Sequence, residues 1–313
     1  MDQNKILITG YQKASIGLFY KSLKYLLSNK KNNINYIEYT KFDEILIRKK
    51  LSNEKIKKNT SLNILKNFPL IITGTSETFL EKNIWNYCYL NNLNFLVYVE
   101  SVDNLKIRFS ELDQFPNNVL VTNNYIKKKI RNLFPFKSKN SNIINLGNIN
   151  YYYLKRKVSV KQKINNNVLY VTSDIGIEKE QRNIDSLYEY TTEKGVNLYI
   201  CVHPRENLED WKLTQNKIIS NNIVQGRLLE IARRSTEVFG IATMGLIDLH
   251  IINKKVFYFD EGKRSSYLNY LFNQYGVNSF KLRNNKIVKK IKKNKTIIPN
   301  KRDILNKLRK IIN

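Results

Sequence analysis

The sequence predicts an α/β protein with two Rossmann-like, doubly wound domains that face each other across a cleft. Short apolar runs alternate with longer amphipathic ones, and this alternation occurs twice, on either side of a polar segment at residues 155–167. Strands separated by helices at this spacing form βαβ units, and hence mainly parallel sheets covered on both faces. A length of 313 residues suits two such domains, which we expect at 1–155 and 156–313.

Six apolar runs predict the strands of the first domain. They are Ile6 to Thr9, Ile34 to Tyr39, Leu70 to Thr73, Phe95 to Val99, Asn118 to Thr122 and Ile143 to Leu146. Amphipathic stretches predict the helices between them, at Ile16 to Leu27, around Trp85 and at Asn124 to Leu133.

A second series of the same kind follows the polar segment 155–167, which we interpret as a linker. Its expected strands are Val168 to Val171, Asn197 to Val202, Glu237 to Gly240 and Val256 to Phe259. Its expected helices are Asp185 to Tyr190, Arg227 to Arg233 and Gly245 to Ile252.

The chain is strongly basic, with 54 lysines and arginines against 26 acidic residues and a net charge of +28. Such a charge suits nucleic acid or anionic lipid as a partner. The lysines are spread over the whole chain, however, and no zinc-finger spacing, RNP-like strand or basic zipper occurs. The sequence therefore argues against nucleic-acid binding and leaves peripheral contact with an anionic membrane open.

Cysteine usage and hydropathy indicate a cytoplasmic protein. Cys88 and Cys201 lie far apart in apolar runs, which favours buried free thiols over a disulfide or a zinc site. No run approaches 18 consecutive apolar residues, and the chain enters the apolar run at Ile6 without the hydrophobic region of a signal peptide.

Several familiar motifs are missing from the sequence. Gly10 and Gly17 after the first strand do not supply the G-x-G-x-x-G spacing of simple dehydrogenases, and no P-loop occurs. No Asp-x-Asp motif occurs either. We therefore expect neither a metal nor a resident cofactor.

Three expected strand ends in the second domain carry residues suited to binding an anion. They are Thr172-Ser173-Asp174, His203-Pro204-Arg205 and Ala242-Thr243-Met244. Ligands of open α/β sheets bind beyond the carboxyl ends of the strands, and a turn into a helix leaves backbone N–H groups for a phosphate. Each signal also has an ordinary structural explanation. His203 could cap a loop, Arg205 could pair with Glu206 or Glu209, and Thr243 could be a plain helix N-cap.

At these positions the sequence resembles bacterial GT-B glycosyltransferases of capsule and lipopolysaccharide synthesis, including sialyltransferase- and Kdo-transferase-like families with an HP motif. The resemblance rests on Val202 to Glu206 and Val238 to Met244. In the first half it rests on Leu70 to Ser76, Arg108-Phe109, Pro116-Asn117 and Leu146 to Asn148, which are similar to polysaccharide-biosynthesis proteins of epimerase-like fold. Asp248 stands where these proteins usually carry a glutamate for the donor ribose.

The resemblance implies a metal-independent glycosyltransferase that moves a sugar from a nucleotide donor to a surface-polysaccharide or glycolipid acceptor. It implies a CMP-activated acidic sugar as the donor class, with the histidine and a Ser/Thr pair on the donor's phosphate. His203, Arg205 and the backbone amides near Thr243 would stabilise the leaving group's charge. Alternatives are a nucleotide-sugar 2-epimerase and a non-catalytic basic protein that docks on an anionic polymer or membrane.

Transfer to a hydroxyl also needs a base. The first half has no histidine, so an acid is expected, with Glu100 as first choice, Asp103 as second and Glu77 as third. Glu100 could instead cap a helix or pair with Arg108. The expected cleft is lined by Gly10 to Gly17, Thr73 to Ser76 and Glu100 on one side, and by Ser173, His203 and Thr243 on the other.

Overall fold

The structure is a computed structural model. It describes residues 5–10, 15–27, 33–39, 47–50, 62–75, 79–110, 112, 114–157, 166–214, 221–241, 243–261, 265–292 and 300–312. The chain divides into two compact units. The first consists of Met1–Tyr153 together with Ile298–Asn313, and the second of Leu154–Ile297. Within the described residues each unit contains a seven-stranded sheet.

The first sheet has the doubly wound order β3-β2-β1-β4-β5-β6-β7, in which β2 and β3 are antiparallel and the other pairs are parallel. The elements are β1 (Lys5–Gly10), α1 (Ser15–Leu27), β2 (Asn33–Tyr39), β3 (Ile47–Lys50), a 3₁₀ helix (Leu62–Asn67), β4 (Leu70–Thr73), α2 (Phe79–Leu90), β5 (Phe95–Val99), α3 (Leu105–Phe109), β6 (Asn118–Val121), α4 (Asn124–Leu133), β7 (Asn142–Asn145) and α5 (Ile149–Lys157). The strand order reverses between β1 and β4, which places the topological switch point there.

The second sheet repeats this order as β10-β9-β8-β11-β12-β13-β14, with its switch point between β8 and β11. The elements are β8 (Asn167–Val171), α6 (Ile177–Glu193), β9 (Asn197–Cys201), α7 (Leu208–Thr214), β10 (Ile223–Val224), α8 (Leu228–Ala232), β11 (Ser235–Gly240), α9 (Met244–Ile251), β12 (Lys255–Phe259), α10 (Ser266–Gln274), β13 (Asn278–Arg283) and β14 (Lys286–Lys290). Only the β13–β14 pair is antiparallel among the described strands of this sheet. The expected α/β class with two Rossmann-like, doubly wound domains is confirmed, and the cleft between them stays a prediction.

Central strands are predominantly apolar because helices cover both faces of each sheet. All residues of β4, β5 and β8 are buried. Ile8, Ile72 and Leu96 pack with α1 in the first unit, and Phe239 and Phe257 pack with α6 in the second. These continuous apolar runs are the reason that the strands could be located in the sequence.

The last helix, α11 (Lys301–Ile312), belongs to the first unit, although we expected residues 156–313 to form one domain. Ile304 and Leu308 are buried in the core of the first sheet, and the Lys307 ammonium donates to the Asn145 carbonyl at 2.7 Å. The two apolar residues lie four positions apart, on one face of the helix, where they cover the first sheet. The expected linker lies largely outside the described residues, and its ends belong to α5 and β8.

Both cysteines are free thiols in the apolar interior, as expected. Burial raises the pKa of Cys88 to about 12 and that of Cys201 to about 11, so both stay protonated at neutral pH. Among the described residues, no helix has the length and apolar character needed to cross a bilayer.

Candidate functional site

The carboxyl ends of β8 and β9 are joined by a side-chain contact at the edge where ligands of such sheets bind. The backbone N–H of His203, which follows β9, donates to Thr172 Oγ1 at 2.7 Å. The same hydroxyl donates to the Glu206 carboxylate. Thr172 is buried, so its hydroxyl fixes the start of the His203 turn against the neighbouring strand.

The His203 ring is oriented by the backbone of its own turn. The N–H of Arg205 donates to Nδ1 at 3.3 Å, and the Gln225 amide donates to the His203 carbonyl at 2.9 Å. An Nδ1 that accepts a hydrogen bond leaves the proton of a neutral imidazole on Nε2. The ring is therefore arranged to donate through Nε2, and Pro204 forms the exposed corner of the turn.

Asp174 lies beside both basic side chains of the motif. Its Oδ2 is 3.6 Å from Arg205 NH1 and 4.0 Å from His203 Nδ1. Arg205 therefore does not pair with Glu209, which binds Lys212 at 3.0 Å. Because 81% of the Arg205 side chain is exposed, the guanidinium can leave Asp174 for a bound anion at little cost.

The turn from β11 into α9 lies at the switch point of the second sheet. Thr243 is the N-cap of α9, because its Oγ1 accepts a hydrogen bond from the Gly245 N–H at 3.4 Å. The expected alternative, a plain helix-capping role, is therefore observed. A Cβ on Gly240 would lie 2.7 Å from the Val171 carbonyl oxygen, and only glycine allows this close approach of β8 and β11. Ala242 lies outside the described residues, and the Met244 side chain is exposed.

Asp248 lies one turn further along α9. Burial raises the pKa of its carboxyl to about 7, so the group is partly protonated at neutral pH and can donate as well as accept a hydrogen bond. Its expected role on a donor ribose stays a prediction.

This edge also contains a buried acid that the sequence does not single out. Glu180 of α6 is fully buried, and its Oε1 accepts from the Ser173 N–H at 2.7 Å. Burial above all, with a smaller contribution from Glu206, raises the pKa of Glu180 to about 7, although the hydrogen bond from Ser173 lowers it. Its neighbours Glu178 and Lys179 are exposed, so nothing in the sequence distinguishes Glu180 from a surface acid.

Glu180 gives stability a defined pH dependence. Its pKa is near 4.5 unfolded and about 7 folded, so its contribution to the unfolding free energy is full below pH 4.5 and falls as the pH rises to about 7. We expect Glu180→Gln to stabilise the protein relative to wild type by about 3 kcal/mol more at pH 8 than at pH 4.5. Urea unfolding of both proteins across this range measures the difference, from which the contribution of Asp248 cancels because both proteins retain it. Parallel stability curves for the two proteins would contradict this assignment.

The two preferred base candidates lie after β5 in the first unit. Glu100 is partly buried, and its carbonyl accepts from the Thr122 hydroxyl at 3.0 Å. Asp103 is exposed, and its carboxylate accepts from the Ser101 hydroxyl at 2.6 Å. The alternative pairing of Glu100 with Arg108 does not occur, because Arg108 donates to Thr75 instead. Glu77 lies outside the described residues, and the roles of all three acids stay predictions.

The second histidine of the chain has a structural environment. His250 Nε2 lies 3.0 Å from the Tyr275 carbonyl oxygen, and burial lowers the pKa of the ring. Among the described residues, no group of three or more His, Cys, Asp or Glu side chains is placed to hold a metal ion.

Comparison with known proteins supports the fold. No family model matches the sequence, and no curated protein does. Among solved structures, the UDP-GlcNAc 2-epimerase from Neisseria meningitidis, bound to UDP-GlcNAc, has a TM-score of 0.57 at 10% identity, over 98% of this chain and 91% of that one. A proposed UDP-N-acetylglucosamine 2-epimerase from Listeria monocytogenes has a TM-score of 0.51 at 10% identity, over 100% and 88%.

Glycosyltransferases also occur among the similar structures. The wall teichoic acid polymerase TagF has a TM-score of 0.44 at 14% identity, over 88% of this chain and 76% of that one. The two epimerase structures, with TM-scores above 0.5 and 10% identity, show that this chain shares their fold of two Rossmann-like α/β domains.

Proposed function

We propose that this protein is a metal-independent GT-B glycosyltransferase that binds a nucleotide-sugar donor at the switch point of its second sheet. The observation that carries the proposal is the His203 turn. Its imidazole is oriented to donate through Nε2, at the same sheet edge as Arg205 and the N-terminus of α9. These groups suit the phosphate of a nucleotide.

The proposed chemistry is electrostatic at the donor and acid–base at the acceptor. As the bond between sugar and phosphate breaks, negative charge grows on the leaving phosphate. His203 Nε2–H, Arg205 and the amides at the start of α9 would stabilise this charge. Ser173 and Asp248 would contact the rest of the nucleotide. Glu100, or failing that Asp103, would take the proton of the acceptor hydroxyl.

The finer assignments belong to the same proposal. The donor would be a CMP-activated acidic sugar, and the acceptor a surface polysaccharide or glycolipid. The protein would work in the cytoplasm, with peripheral contact to the anionic inner face of the membrane, to which its net charge of +28 is suited.

A nucleotide-sugar 2-epimerase is the second candidate. It is favoured by the likeness in fold to the Neisseria enzyme, which binds UDP-GlcNAc. Incubation with a panel of CMP- and UDP-sugars distinguishes the candidates. A transferase extends an acceptor as it releases CMP or UDP, whereas an epimerase inverts C2 of the donor's sugar and extends no acceptor. A docking protein turns over none of them.

We expect His203→Ala to weaken the binding of CMP or UDP by about 10- to 100-fold. A hydrogen bond to a charged phosphate contributes about 1.5–3 kcal/mol, which corresponds to this change in Kd. Calorimetric titration of both nucleotides into wild type and variant measures it.

His250→Ala is the matched control for removing an imidazole, since His250 contacts Tyr275 in the protein interior. The folded His250→Ala protein should bind nucleotide with the same affinity as wild type. If His203→Ala folds normally and binds nucleotide as tightly as wild type, the phosphate assignment is wrong.

A further inference from the structure

The first unit contains a buried arginine that has no part in the proposed donor site. Arg108 of α3 is 6% exposed. Its NH1 donates to Thr75 Oγ1 at 3.4 Å, and its buried Nε has no hydrogen-bond partner among the described residues. None of the ion pairs found among those residues includes Arg108. A guanidinium removed from water without a counter-charge is costly, so this one has capacity for a bound anion.

The hydroxyl beside Arg108 holds the guanidinium in place. Thr75 donates its only proton to the Tyr98 carbonyl at 3.2 Å, so its oxygen accepts from Arg108. Lys82 of α2, also 6% exposed, is held in the same way. Its ammonium donates at 3.4 Å to Ser110, whose own proton goes to the Ile107 carbonyl at 2.9 Å. Both cations are thus oriented by hydroxyl groups.

The position in the fold is one where ligands bind. Thr75 follows β4, beside the switch point between β1 and β4, and Thr9 at the end of β1 has a buried hydroxyl without a partner among the described residues. Glu81 is the buried acid of this edge, and its Oε1 lies against Gly10 and Gly74. Arg108 and the Thr9 hydroxyl are thus two buried groups, on α3 and β1, with hydrogen-bonding capacity that the described residues leave unused.

We propose that the first unit binds an oxyanion, the phosphate or carboxylate group of an acceptor, at Arg108. The planar guanidinium matches two oxygens of either group, and the Thr9 hydroxyl can add a further donor at the same edge. The anion site stands on the contacts of Arg108 alone, whereas its assignment to an acceptor rests on the proposed glycosyl transfer. An acidic acceptor is the substrate class that follows.

The test uses the full chain in a His203→Ala, Arg205→Gln background, so that the donor site does not compete for the anion. Inorganic phosphate and acetate are titrated at constant ionic strength, with chloride as the reference salt. We expect one of the two oxyanions to raise Tm by about 3 °C or more near saturation. The more effective one indicates whether the acceptor group is a phosphate or a carboxylate.

Arg108→Gln should abolish this rise in Tm. Lys106→Gln, which removes an exposed charge from the same helix, should retain it. Should Arg108→Gln fail to fold, ¹⁵N spectra of arginine side chains in the unsubstituted protein replace it, with Arg108→Lys identifying the Nε signal. That signal should shift on adding the oxyanion.

A Tm rise that survives in Arg108→Gln, an effect equal to that of chloride, or an Nε signal that does not move would each overturn the proposal. The result is separable from the proposed function. If wild type binds no nucleotide but still binds the oxyanion through Arg108, the donor assignment fails and the anion site stands.

Discussion

Replacing Glu100 with glutamine should lower kcat for glycosyl transfer by about 10² to 10⁴-fold, because an amide cannot take the proton of the acceptor hydroxyl. The substitution preserves the shape of the side chain. The position of the backbone is fixed independently by the hydrogen bond from Thr122 to the Glu100 carbonyl. Affinity for CMP should not change, since the residues proposed to bind its phosphate, His203 and Arg205, belong to the other unit. Release of CMP or UDP in the presence of acceptor measures kcat.

Asp103→Asn is the matched control for the base. Asp103 lies in the segment after the same strand, but it is exposed and bonded to Ser101, so its loss should change kcat little. A Glu100→Gln protein with undiminished kcat eliminates Glu100 as the base. If Asp103→Asn loses the activity instead, Asp103 has that role.

Replacing Ile304 with alanine should lower the unfolding free energy of the first unit by about 2–5 kcal/mol. Ile304 is fully buried in the core of the first sheet, with Leu308 one turn further along α11. The alanine leaves a cavity and weakens the attachment of a helix that lies more than 140 residues away in the chain from the rest of its unit.

The two tryptophans make this measurement specific to one unit. Trp85 belongs to the first unit and Trp211 to the second, and both are buried. In a Trp211→Phe background, fluorescence during urea unfolding reports the first unit alone. Asn306→Ala, on the exposed side of α11, should change stability by no more than about 0.5 kcal/mol. Equal midpoints for Ile304→Ala and Asn306→Ala would contradict the packing of α11 on the first sheet.

The central strands and the duplicated architecture could be predicted from the sequence. A parallel strand covered on both faces must be apolar throughout, so Leu70 to Thr73 and Phe95 to Val99 stand out without any knowledge of their neighbours. The strand ends follow from these runs. The runs therefore predict one edge of the second sheet for Thr172 to Asp174, His203 to Arg205 and Thr243, and the first two segments are in contact in the structure.

The partners of these residues depend on contacts made in the folded protein. Asp174 rather than Glu209 pairs with Arg205, and Arg108 donates to Thr75 rather than pairing with Glu100. Such contacts join strands and helices distant in sequence, and a charged residue looks the same in the sequence whether it is solvated or enclosed. For this reason the buried Glu180 was not distinguishable from the exposed Glu178 beside it.

Apolar runs and their spacing are local properties of the chain, so they predict two α/β halves without any knowledge of contacts. The strand order, the return of α11 to the first unit and the burial of Glu180 and Arg108 follow from contacts made in the folded protein. They could not be predicted because burial depends on which surfaces meet. Ile304 and Leu308 form an apolar stripe on a largely basic helix. The stripe shows that the helix packs on a sheet, but its sequence does not show which of the two sheets that is.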